Sequence, residues 1–95
     1  MRKYEIMYIL LATLDDEARK AEMTKLNGIL EANKVQIVGT KEWGLRDFAY
    51  PIKKQTKGYY VILTVNGAEA GLSEFERLVK IDQNVLRYLV TVAQN

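Results

Sequence analysis

Tyr4-Glu5-Ile6-Met7-Tyr8-Ile9-Leu10-Leu11 is followed, after Ala12, by Thr13-Leu14-Asp15-Asp16-Glu17. The first stretch is aromatic and apolar with weak alternation, the pattern of a strand with neighbours on both sides. The second places capping side chains and negative charge where a helix N-terminus presents unpaired N–H groups. Leu14, Ala18, Ala21, Leu26, Ile29 and Leu30 then recur at helical steps. The spacing predicts an amphipathic helix to about Asn33, with Arg19, Lys20, Lys25 and Glu31 in solvent.

Working outward, Val35 to Leu45 places Val35, Ile37, Trp43 and Leu45 on one face of a second strand. Extended character continues through Phe48-Ala49-Tyr50-Pro51-Ile52, where Pro51 cannot donate to a ladder and so belongs to an edge or a strand end. Lys53-Lys54-Gln55-Thr56-Lys57-Gly58 reads as a projecting hairpin loop, and Tyr59 to Val65 as strand three. Asn66-Gly67 turns the chain, Leu72, Phe75, Leu78 and Val79 mark a second helix over 69–80, and Val85 to Val92 is the fourth strand.

The order strand, helix, strand, strand, helix, strand is a split pair of βαβ units. Right-handed crossovers wind it into a four-stranded antiparallel sheet with both helices on one face, the α+β ferredoxin-like fold. Strands one and three, the most apolar, then lie in the middle. The 95 residues form one domain, 1–95, with 48% apolar residues and a single Pro. One sheet face carries no helix. Strand alternation puts either Tyr59 or Tyr60 there, and either Tyr4, Ile6 and Tyr8 or Glu5, Met7 and Ile9; the residues alone leave this register open.

The chain has no Cys and no His. Disulfides, thiolate metal sites and cysteine nucleophiles are thereby excluded, as is the side chain that most readily moves a proton near neutral pH. Glu5, Glu42 and Asp47 fall at different strand phases, without a glycine-rich phosphate cradle or metal-ligand spacing. The expectation is a protein that is not an enzyme, with no cofactor, no metal and no small-molecule substrate. Nothing is long enough to span a membrane.

Net charge is +2, with a sequence pI near 8.9. The basic residues cluster: Lys41, Arg46, Lys53, Lys54 and Lys57 stand against Glu42 and Asp47, interleaved with Trp43, Phe48, Tyr50, Tyr59 and Tyr60. Charge that neutralises phosphates beside flat rings that stack on bases suits RNA. The same residues also fit a solubilising loop over packed aromatics. Lys57-Gly58-Tyr59-Tyr60 resembles the opening of an RNA-recognition-motif third strand. Val61 and Thr64, however, stand where that signature places its stacking aromatics. Arg87 is a charge inside an apolar strand, facing either solvent or an anionic partner.

Met1-Arg2-Lys3-Tyr4-Glu5, Gly44-Leu45-Arg46, Phe48-Ala49-Tyr50-Pro51-Ile52-Lys53-Lys54, Gly58-Tyr59-Tyr60 and Asn84-Val85-Leu86-Arg87-Tyr88 together resemble the bacterial small-subunit ribosomal protein S6 family. The resemblance spans the chain. It implies a cytoplasmic structural component of the ribosome that pairs with ribosomal protein S18 and binds the central domain of small-subunit ribosomal RNA. It assigns Arg2, Arg46, Lys53, Lys54 and Arg87 to RNA phosphates, with Lys57 added from the basic hairpin. Tyr4, Tyr50 and Tyr59 are assigned to packing or partner contacts. Asp47 stands where the family often carries another basic residue, which is expected to weaken local phosphate affinity. The competing expectation is a homodimeric protein-interaction or small-ligand regulatory domain on the same fold.

Overall fold

A computed structural model describes residues 2–93; Met1 of the opening pentapeptide and Gln94 and Asn95 at the other end lie outside the described residues. The elements are β1 (Arg2–Leu11), α1 (Asp16–Ala32), β2 (Gln36–Ile52), β3 (Gln55–Gly67), α2 (Glu69–Lys80) and β4 (Val85–Val92). The sheet order is β2-β3-β1-β4, with every neighbouring pair antiparallel. The expected ferredoxin-like architecture is present, with β1 and β3 central.

Alternation in the central strands creates the core. Tyr4, Ile6, Tyr8 and Leu10 of β1 and Val61, Leu63 and Val65 of β3 are all buried and face the helices. Leu26 and Leu30 of α1 and Leu72, Phe75 and Val79 of α2 close over them. Fully burying a side chain of this size stabilises by about 1.5–3 kcal/mol relative to exposure, so this layer dominates folding.

The ends of α1 are set by local hydrogen bonds. Asp15 Oδ1 accepts from the Ala18 N–H at 2.7 Å, the N-cap contact expected from the sequence. At the other end Lys34 adopts φ 62°, its N–H donates to the Glu31 carbonyl at 3.0 Å, and the Val35 N–H donates to the Leu30 carbonyl at 2.9 Å. This is a Schellman closure with lysine in the position that usually holds glycine, and the buried pair Leu30 and Val35 seals it.

Four expectations from the sequence change. In α1 the buried stripe is Glu22, Leu26 and Leu30, whereas Ala18 and Ala21 are exposed. The apolar pattern concealed a carboxylate that takes a core position because polar partners meet it there. Arg19, expected in solvent, is half-buried against Tyr59, with Cζ 4.2 Å from the ring centroid. The hairpin is not a six-residue loop: β2 and β3 run on to an Ile52–Gln55 pair, with only Lys53 and Lys54 between them.

Strand β2 also shifts register at Ile37/Gly39 and at Glu42/Gly44. Gly44 supplies φ 85° at the second irregularity, a backbone most side chains resist. Trp43 therefore leaves the face of Ile37 and Leu45, where alternation had placed it, and lies over Tyr60 on the uncovered side. The outer edge of the sheet at β4 leaves Leu89 and Val92 exposed.

Candidate nucleic-acid interface

Register settles which side chains occupy the uncovered face. Because Tyr4, Ile6 and Tyr8 are buried under the helices, Glu5, Met7 and Ile9 point the other way. Pairing carries this parity across the sheet: Gly44 opposes Tyr60, Tyr60 opposes Ile9, and Ile9 opposes Arg87. Tyr60, Ile62 and Thr64 thus line the open face from β3, Arg87 and Leu89 from β4, and Lys41 and Arg46 from β2.

An aromatic patch sits on this face. Trp43 stacks on Tyr60 with ring centroids 6.4 Å apart and planes at 25°. Phe48 meets Tyr60 edge-on at 6.2 Å. Arg46 lies 5.7 Å from the Trp43 ring centroid, a cation–π contact worth about 0.5–1 kcal/mol where exposed. Gly58 makes this packing possible: a Cβ there would fall 2.3 Å from Ile9 Cγ2 and 2.7 Å from Phe48 Cζ. Beside the patch a groove of about 400 Å³ is bordered by Glu5, Lys41, Trp43, Ile62 and Thr64. Stacked rings edged by guanidinium and ammonium groups provide a face and a charge for an unpaired base and its phosphate.

The hairpin adds charge below the patch. Lys53 and Lys54 occupy its two-residue tip at φ 48° and 66°, and both are exposed. Lys57 lies 4.0 Å from Asp47 with both side chains in solvent, a pair of little energetic weight. Among the described residues no acid lies within ion-pair distance of Lys53, Lys54, Arg46 or Arg87.

Arg2 is not part of this cluster. It sits at the start of β1 opposite Gly67, whereas the hairpin leaves the sheet where Leu11 opposes Gly58. Nine residues of strand, about 30 Å, separate the two ends. Arg2 instead borders a cavity with Glu69 and Glu76 on the helix side. The three tyrosines also divide. Tyr4 is a core residue, and Tyr50 is 71% exposed near the hairpin. Tyr59 lies on the helix side and donates to Glu42 Oε1 at 2.6 Å. That hydrogen bond, with partial burial, holds the Tyr59 hydroxyl above the usual phenol range.

A buried polar cluster lies on the opposite side, where α1 meets the turn before β4. Glu22 is 5% exposed; its Oε1 accepts from Asn84 Nδ2 at 3.1 Å. Burial and the adjacent Asp82 push the Glu22 carboxyl above the ordinary range. Burial also acts upward on Asp82, but the neighbouring Glu22 carboxyl and hydrogen bonds from the Asn84 backbone and from Lys25 hold it below that range. Lys25 Nζ is 3.0 Å from Asp82 Oδ2. The Tyr8 hydroxyl is buried without a partner, and its ionisation is strongly suppressed, chiefly by burial. The signal in the sequence was Glu22 at four-residue spacing from Leu26 and Leu30.

The sequence matches the ribosomal protein S6 family over residues 3–91. The chain belongs to that family. This S6-family chain is therefore a small-subunit ribosomal protein, and its fold agrees with a solved relative. The 30S ribosomal protein S6 of Thermotoga maritima superimposes with a TM-score of 0.92 at 27% identity, covering 97% of this chain and 87% of the other. Among the described residues of the S6-family chain, no group of three or more acidic side chains could hold a metal ion, and no helix is long and apolar enough to cross a membrane.

Proposed function

We propose that the protein is a structural component of the ribosome that binds small-subunit ribosomal RNA together with ribosomal protein S18, and that it acts by binding and not by catalysis. The observation that carries this reading is the Trp43–Tyr60–Phe48 patch on the same two strands whose hairpin tip exposes Lys53 and Lys54. Lys53, Lys54, Lys57, Arg46 and Arg87 address phosphates, and Tyr50 with the exposed part of the open face is available to the protein partner. Tyr4 and Tyr59 serve packing in this scheme. Arg2, at the far end, addresses a separate stretch of RNA.

A rigid sheet favours this role. Groups fixed before binding lose little conformational entropy on binding, so RNA helices and the partner are held in one arrangement at lower cost. The test is filter binding of a central-domain ribosomal RNA fragment, with and without S18, over a range of salt. Binding is expected to be weak alone and stronger with the partner, and to fall steeply with salt because phosphate contacts release counterions. Salt-independent binding would remove the phosphate contacts from the scheme. A stable homodimer without RNA affinity would favour the regulatory-domain alternative.

A further inference from the structure

The hairpin tip, the end of α2 and the start of β4 are remote in sequence, but they border one cavity of about 230 Å³. Three of the residues that line it are cationic, Lys53, Lys80 and Arg87, and none is acidic. None of the three has an acid within ion-pair distance among the described residues. Asp47 lines the neighbouring cavity that also borders Arg87, and its pairing there is with Lys57. Val79 and Val85 line the cavity as well, so part of its wall is apolar. Like charges gathered beside such a wall repel one another until an anion enters, and low-dielectric surroundings strengthen the attraction that follows.

A second, independent feature concerns how Lys53 comes to be there. Its backbone and that of Lys54 both occupy the left-handed region, at φ 48° and 66°. Asn-Gly is the sequence that such a two-residue turn favours; lysines there are strained. That turn places Lys53 at the cavity that Lys80 and Arg87 also line.

We infer that Lys53, Lys80 and Arg87 form a seat for one phosphodiester of the RNA backbone, which makes Lys80 of α2 an RNA contact. This rests on the RNA-binding reading above and extends it to a helix outside the basic hairpin. A guanidinium can grip two phosphate oxygens while the ammonium groups neutralise them from either side. The cavity opens to solvent, and Lys54 stands exposed at the same tip. These features suit a phosphate carried on a chain.

The test uses the full protein with S18 and a central-domain ribosomal RNA fragment. The variants are Lys53→Gln, Lys80→Gln and the double variant, each first shown by thermal melting to fold as the wild type does. Lys80→Gln is expected to weaken binding on the order of 3- to 10-fold. If one phosphate is shared, the double variant lowers the slope of log K against log salt by no more than about 0.9, because Arg87 stays at the seat; two separate phosphates would lower it by about 1.8 and overturn the shared seat. Unchanged RNA affinity in Lys80→Gln, with a clear loss in Lys53→Gln, would overturn the proposal while leaving the RNA-binding reading intact. A parallel titration with inorganic phosphate, followed by amide NMR, tests the other source. Saturable shifts at Lys53, Lys80 and Arg87 without any effect of Lys80→Gln on RNA binding would make this a small-anion site and refute the RNA assignment. Failure of the wild-type complex to bind RNA would remove the reading on which the seat rests.

Discussion

Replacing Lys53-Lys54 by Asn-Gly should make the protein more stable and a poorer RNA binder at once. Both residues have positive φ, 48° and 66°. For an L-residue with a Cβ the left-handed conformation costs roughly 1–2 kcal/mol. Asn tolerates it better than lysine and Gly adopts it freely, although Gly gives back about 0.5–1 kcal/mol through the entropy of the unfolded chain. Neither ammonium has an ion-pair partner to lose. The net expectation is a gain of about 1 kcal/mol, a rise in Tm of roughly 4–8 °C for a domain of this size. Urea unfolding should show a higher midpoint at unchanged m, because the surface exposed on unfolding is nearly the same. RNA affinity in the presence of S18 should fall together with its salt slope. A variant no more stable than the wild type would refute the account of a strained tip, and one that keeps full RNA affinity would refute the role of the ammonium groups.

Three further outcomes follow from features elsewhere in the fold. Glu22→Gln should stabilise the protein at neutral pH by about 1 kcal/mol. The amide oxygen keeps the contact to Asn84, and an amide nitrogen that can donate toward Asp82 replaces the buried carboxylate oxygen without a partner, relieving a cost of about 1–3 kcal/mol. Because burial raises the Glu22 carboxyl above its unfolded value, its favourable contribution is complete below the unfolded pKa and is lost as pH rises through the folded one. The advantage of the variant should therefore shrink between pH 7 and pH 4 in urea titrations, and a variant less stable at pH 7 would contradict it. Lys34→Gly should add on the order of 0.5–1 kcal/mol by giving the Schellman closure of α1 the residue its φ of 62° favours; an unchanged urea midpoint would count against it. Gly58→Ala should cost about 1–3 kcal/mol, since its methyl would fall 2.3 Å from Ile9 Cγ2. It should also disturb the Phe48–Tyr60 contact, visible in near-ultraviolet circular dichroism, and a neutral effect would argue against close packing on the open face.

The element order was readable because β1 and β3 are dense in apolar residues and α2 has a clean stripe through Leu72, Phe75 and Val79. Each signal is local and agrees with the tertiary fold. The errors arose where tertiary contacts overrule local pattern. Glu22 takes a core position that an apolar search gives to Ala18 and Ala21, because Asn84, sixty-two residues away, comes to meet it. Trp43 changes faces at an irregularity that alternation cannot foresee. Lys53-Lys54 lacks the Asn-Gly signature of a tight turn and so read as part of a loop. At the interface the hairpin cations and Arg87 were visible as charge. Their distance from Arg2 and their meeting with Lys80 depend on how the strands pair and where α2 ends.

Trp43 is the only tryptophan in the chain, and it lies 46% exposed against Tyr60 on the side of the sheet without helices. Its indole is consequently a built-in optical reporter for that surface. A protein or base laid over it would strip water from the ring and shift its emission to shorter wavelength. An anion held only at the hairpin tip would leave the spectrum unaltered. Unlabelled protein in a cuvette can thus tell occupancy of the sheet from occupancy of the tip, and can time the two events separately when RNA and partner are added in turn.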